Sequence, residues 1–131
     1  MVRAVPIFDH IGLTISNFDR SLAFFTQALA PLGYELVKQF PGAAGFGPAG
    51  KPDFWIGARP GQPTSTGVHV AFAASGRAAV RAFYEAAVAA GGTDNGAPGL
   101  RPQYHEHYYG AFVHCPDGNN IEAVCHEAYL G

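Results

Sequence analysis

From Ile7 to Ile15 apolar and polar residues alternate, with Ile7, Ile11, Leu13 and Ile15 on one side and Phe8, His10, Gly12 and Thr14 on the other. A period of two predicts a β-strand. The period then lengthens. Ser16, with Asp19 three positions on, is a capping-box variant, and Phe18, Leu22, Phe25 and Leu29 recur at helical spacing until Pro31 and Gly33 end the helix. Three short strands are expected next: Tyr34 to Phe40, a weak one at Ala43 to Phe46, and Asp53 to Ala58, with the Gly/Pro-rich "FGPAGKP" before the last. The pattern restarts with a strand from Gly67 to Ala73 and a helix from Gly76 to Ala90 closed by Gly91-Gly92. Strands follow near Thr93, at Tyr108 to Cys115 and at Ile121 to His126. The predicted order is βαβββ, twice.

The restart is a repeat in sequence as well. A shift of 59 positions lays "DHIGLTIS" on "VHVAFAAS" and "LAFFTQALAPLG" on "RAFYEAAVAAGG" without a gap. His10 falls on His69, Ser16 on Ser75, Ala23-Phe24 on Ala82-Phe83, Ala28 on Ala87 and Gly33 on Gly92. The chain thus divides into modules of about residues 5–60 and 65–128 within a single domain, 1–131.

Alternation assigns faces. A helix that follows its strand covers one face of the sheet, and the continuous aliphatic side (Ile11, Leu13, Ile15; Val68, Val70, Phe72) is the one to be covered. His10 and His69 then point to the other face. In the last strand Ile121, Ala123 and Cys125 alternate against Glu122, Val124 and His126, which puts a carboxylate among apolar neighbours on the helix-free side. Two histidines and a carboxylate converging around a cavity would form the 2-His-1-carboxylate set of an open metal site. The preceding "PDGN" is a turn: Asp117, Gly118 and Asn119 tolerate positive φ and bond to the backbone, and they carry no chemistry in this reading.

Composition narrows the partners. With 131 residues, 48% hydrophobic and 14% charged, the chain can bury one core; a net charge of −2 and a pI near 6.3 give no reason to expect nucleic acid or an anionic membrane. No apolar run approaches the roughly 18–20 residues of a membrane span, and the opening is too short and too soon polar for a signal peptide. A cytoplasmic location is expected, with Cys115 and Cys125 as reduced thiols in a packed sheet.

From "FDHIGLTISNFDRSLAFFTQAL" through "GVHVAF" to "PDGNNIEAV", the chain resembles the vicinal oxygen chelate superfamily. That superfamily groups glyoxalase I, extradiol dioxygenases, fosfomycin-modifying thiol transferases and bleomycin-resistance proteins. The resemblance implies an α+β fold: two tandem βαβββ modules forming a cupped, partly closed eight-stranded mixed sheet with helices outside. It also implies one divalent ion (Zn, Ni, Mn or Fe(II)) held by His10, His69 and Glu122. Glyoxalase I has a further glutamate on the last strand of its first module; here that strand reads "DFWIG", with Trp55 in the position. The chain therefore looks less like an authentic glyoxalase I and more like the three-ligand members. In those, an ion with open positions polarises a small substrate that chelates through adjacent oxygens. A metal-free binding protein of the bleomycin-resistance type is the alternative. A homodimer is expected too, since relatives of this kind pair around sheet edges and open edges invite association.

The segment "GAPGLRPQYHEHYYGAF" adds candidate chemistry. Gly99, His105 and His107 match the start of a cupin metal motif, but Ala111 and Phe112 stand where its glutamate should be. A pocket-side loop and strand entry fits better. His105, His107 and Tyr109 are then candidate catalytic groups, since histidine exchanges protons near neutral pH. Arg101, Tyr104 and Tyr108, with Trp55, are candidates for the substrate pocket.

Overall fold

The structure is a computed structural model that describes residues 7–126. The first module runs β1 (Ile11–Thr14), α1 (Phe18–Leu29), a 3-10 turn (Ala30–Leu32), β2 (Glu35–Phe40), β3 (Ala43–Gly47) and β4 (Phe54–Gly57). The second runs β5 (His69–Ala73), α2 (Arg77–Ala89), β6 (Thr93–Leu100), β7 (Tyr109–His114) and β8 (Asn120–Cys125). The βαβββ order thus occurs twice. In each copy the first strand lies parallel to the last, and the two middle strands continue the sheet antiparallel. The sheet orders are β1-β4-β3-β2 and β5-β8-β7-β6. The eight strands form two four-stranded sheets that are not hydrogen-bonded to each other.

Local chemistry explains the boundaries. Asn17, not Ser16, caps α1: its side chain accepts from the Arg20 amide at 3.0 Å. Ser16 is occupied elsewhere, with its amide (3.1 Å) and its hydroxyl both donated to the carboxylate of Asp117. Strand β1 starts at Ile11 rather than Ile7, and Ile7 and Phe8 stand in solvent at 95% and 82% exposure. Strand β6 is longer than the sequence suggested because its register slips twice, between Asp94 and Gly96 and between Gly96 and Gly99. Such bulges, with Pro98 inside them, suit the outermost strand of a sheet, where an absent N–H breaks no ladder.

One core serves both modules. Phe24, Phe25, Ala28 and Leu29 of α1 and Val80, Phe83 and Ala87 of α2 are wholly buried, and the helices pack against each other. Phe54 of β4 meets Phe72 of β5 edge-on at 5.3 Å between ring centroids, so aromatic packing crosses from module to module. Removing each such ring from water contributes about 1.5–3 kcal/mol. Covering the aliphatic face with helices leaves the other face of each sheet free for polar side chains. Among the described residues, no helix is long and apolar enough to cross a membrane.

Candidate functional site

The open face of the second sheet is built by register. His69, Ala71 and Ala73 of β5 lie beside Asn120, Glu122 and Val124 of β8, and Glu122 is in turn opposite Phe112 of β7. The two alanines keep the surface low, so the longer side chains can reach across it. Asn119 sets the strand entry. Wholly buried, it accepts from the Val68 amide at 3.0 Å and donates to the Ser65 carbonyl at 2.9 Å, while Gly118 turns the chain at φ 85°.

Glu122 is the centre of the arrangement. Its carboxylate is fully buried, and its only ion-pair partner among the described residues is His69, with Nε2 at 2.7 Å from Oε1. The His69 ring is itself half exposed. The second oxygen, Oε2, accepts from the Tyr108 hydroxyl. Burial, followed by this carboxylate, holds the Tyr108 phenol far above its ordinary range, so it is a proton donor at any physiological pH. Gly110 permits the contact, for a Cβ there would stand 3.2 Å from both Glu122 Oε2 and the Tyr108 ring. A buried carboxylate costs several kcal/mol unless a cation or proton donors answer it. Here an imidazole and a phenol do so.

His10 sits just ahead of β1, its Nδ1 bonded to Asp9 at 2.8 Å. The His10 bond, aided by the ammonium of Lys51, holds the Asp9 carboxyl below its usual range. A carboxylate accepts only, so Nδ1 carries the hydrogen, and in the neutral ring Nε2 is left with the lone pair, the tautomer seen in metal-ligating histidines backed by a carboxylate. His10 and His69 line one cavity of about 340 Å³ with Tyr34, Asp53, Phe54 and Phe72. In its wall the Tyr34 hydroxyl donates to Asp53 at 3.0 Å, and burial with that bond pushes the phenol up to about 12.

Trp55 pairs with Gly12, just as Glu122 pairs with Ala71, the repeat counterpart of Gly12. It therefore occupies in the first module the place of Glu122 in the second. Its indole lies over Gly45, where a Cβ would come within 2.9 Å of the ring, and runs nearly parallel to Phe40.

The remaining candidates divide. Arg101 holds its guanidinium over Phe112 and donates to the Ala97 carbonyl at 2.8 Å. Tyr104 is exposed and edge-on to Tyr108. His105 stacks on His126, ring nitrogen facing ring nitrogen, and both rings touch Tyr108. His107 stands apart, 3.9 Å from Glu106. Tyr109 is on the helix-covered face, with Arg77 over its ring at 4.8 Å. The phenol that reaches Glu122 is thus Tyr108. His126 was the member the sequence reading passed over; its signal was the same alternation that singled out Glu122.

The donor chemistry of His10, His69 and Glu122 suits a divalent cation: two imidazoles, one backed by a carboxylate, and a buried carboxylate that no lysine or arginine among the described residues neutralises. Their convergence is incomplete. His69 and Glu122 touch, His10 turns to Asp9, and no three His, Cys, Asp or Glu among the described residues come together as a ligand group.

Two βαβββ modules sharing a core, with imidazole and carboxylate on the helix-free faces, define a class of small duplicated α+β proteins. The chain belongs to the Glyoxalase/Bleomycin resistance protein/Dioxygenase superfamily, whose family model matches residues 7–123. It is similar to a glyoxalase/bleomycin resistance protein from Albidiferax ferrireducens T118, with 28% identity and a TM-score of 0.81 over 91% of this chain and 98% of that one. A glyoxalase/bleomycin resistance protein/dioxygenase family enzyme from Burkholderia phytofirmans PsJN shares the fold at 18% identity and TM-score 0.71, over 92% of this chain and 98% of that one. So does glyoxalase I from Zea mays, at 20% identity and TM-score 0.66, where 94% of this chain covers 45% of that one. Among curated proteins, none matches the sequence.

Proposed function

We propose that the chain is a glyoxalase-like enzyme acting on a small substrate with adjacent oxygens, with a divalent cation held by His69 and Glu122 and His10 as the third donor. The observation that carries the reading is Glu122, a wholly buried carboxylate on the helix-free face whose ion-pair partner is a half-exposed histidine. When bound, such an ion supplies Lewis acidity to a chelating substrate. The protein's own groups do the rest. Asp9 keeps Nε2 of His10 free, Tyr108 holds Glu122 in place through Oε2, and the Phe54 and Phe72 walls keep the cavity apolar. Trp55 at the fourth corner offers no carboxylate for moving a proton between adjacent carbons, which separates the proposed chemistry from that of glyoxalase I.

Elemental analysis of purified protein tests the proposal. About one divalent ion per chain is expected in the wild type and none in His69→Ala or Glu122→Gln, with circular dichroism unchanged. Stoichiometric metal in both variants overturns it. The incomplete convergence of the three donors favours a second reading, a metal-free binding protein in which the proton shared by His69 and Glu122 answers the buried charge. Ligand binding that survives a chelator, in protein without metal, would select it. As partner we propose a second copy: β1 and β5 each end a sheet, and Ile7, Phe8 and Ile11 stand exposed beside β1. A monomer by light scattering at micromolar concentration contradicts that assembly.

A further inference from the structure

The open face of the first sheet is almost bare. By register, Gly12 and Thr14 of β1, Trp55 and Gly57 of β4, Ala43 and Gly45 of β3 and Lys38 and Phe40 of β2 share it, so the aromatic pair rises from a floor of glycine and alanine, with Lys38 on the outermost strand of the sheet. Gly57 illustrates the flatness: a Cβ there would meet only the Gly42 carbonyl, at 3.8 Å. A cavity of about 620 Å³ lies on this floor, bounded by Trp55, His10 and Arg59. The indole is braced from below by Gly45 and flanked by Phe40 at an interplanar angle of 15°, which fixes its plane. Arg59 is exposed at the rim and enters no ion pair among the described residues. A flat floor, a rigid aromatic wall and an unpaired guanidinium are complementary to a flat ring carrying an anionic oxygen group.

We propose that this face binds a planar aromatic carboxylate, its ring against Trp55 and its carboxylate at Arg59. The proposal names the ligand class for the function above and rests on that reading only in placing the ring beside His10. Binding itself needs no metal. Trp55 is the only tryptophan in the chain, so its emission reports on this face alone.

The test titrates chelator-treated full-length protein with benzoate, benzamide and cyclohexanecarboxylate while following Trp55 fluorescence. Benzoate is expected to quench saturably, and cyclohexanecarboxylate, which is charged but not flat, to leave the emission unchanged. Arg59→Gln should weaken benzoate about fivefold or more while shifting benzamide by less than about twofold, because only the charged acceptor uses the guanidinium. Gly57→Val places a branched side chain on the floor of a strand that tolerates it, and should abolish quenching by both rings while the fold is kept. Unchanged emission at millimolar benzoate, equal response to cyclohexanecarboxylate, or full benzoate affinity in Arg59→Gln overturns the proposal. So does emission that changes on dilution of the protein alone and not with added ring, which would put a second copy on this face. Because metal is removed first, failure here leaves the elemental result standing, and absence of metal leaves this result standing.

Discussion

Gly33 and Gly92 occupy the same place in the two repeats, yet the structure gives them different reasons to be glycine. Gly33 follows the 3-10 turn with φ 81°, its amide donating to the Ala30 carbonyl, and a Cβ there meets nothing within 4 Å. Gly92 needs no left-handed backbone but has no room: a Cβ would stand 2.4 Å from Val113 Cγ1, 2.7 Å from Phe24 Cε1 and 2.8 Å from the Ala87 carbonyl oxygen. Carbon atoms in good contact lie about 3.5–4.0 Å apart. The added methyl is therefore roughly an ångström too close to three groups, two in the core and one backbone. Overpacking of this kind typically costs about 1–3 kcal/mol, and with backbone among the obstacles Gly92→Ala should fall near about 3 kcal/mol. Gly33→Ala should cost about 1–2 kcal/mol from conformation alone. Asparagine separates the causes, since it tolerates the left-handed region but is larger than alanine. Gly33→Asn should be less harmful than Gly33→Ala, and Gly92→Asn more harmful than Gly92→Ala. Urea unfolding followed by circular dichroism measures all four. A Gly92→Ala protein within about 0.5 kcal/mol of wild type, the range of an ordinary surface change, refutes the packing argument. Asparagine no better than alanine at 33 refutes the conformational one.

Tyr108→Phe removes the donor to Glu122 Oε2 without changing shape, and should cost about 1–3 kcal/mol in urea unfolding because a buried acceptor loses a partner. Asn119→Ala leaves the Val68 amide and Ser65 carbonyl unanswered near the linker, and a loss of similar size, about 1–3 kcal/mol, is expected from the same measurement. Tyr34 brings a pH dependence: its folded value of about 12 exceeds the ordinary 10, so the unfolded chain loses the proton first. Its contribution is complete below about pH 10 and drains away towards pH 12, and Tyr34→Phe should flatten the unfolding midpoint across that window.

Periodicity carried the fold far because the helices and the strands that precede them bury one clean face. The repeat carried the pairing of His10 with His69, and alternation after the turn carried Glu122. What it could not carry is distance. Whether a phenol from 108 or 109 reaches Glu122 depends on a single residue of register between β7 and β8. The turn of His10 toward Asp9 depends on where β1 begins, and the alternating pattern extended that strand four residues too early. Strand β6 was hidden by Gly96, Pro98 and Gly99, whose propensities argue for a loop; pairing to β7 overrides them. Capping by Asn17 in place of Ser16 has the same origin, because the competing carboxylate of Asp117 is distant in sequence.

That bond between Ser16 and Asp117 bears on how far the two halves can stand in for each other. The turn of the second copy now secures the start of the first copy's helix, while the loop before β4 offers Lys51, spent on Asp9 instead. The help runs one way across the seam, since Lys51 and Asp9 both belong to the first half. A protein rebuilt from two first halves would keep the repeat and lose this bond, because the carboxylate ahead of β4, Asp53, accepts from Tyr34 instead, so the first half cannot stand in for the second.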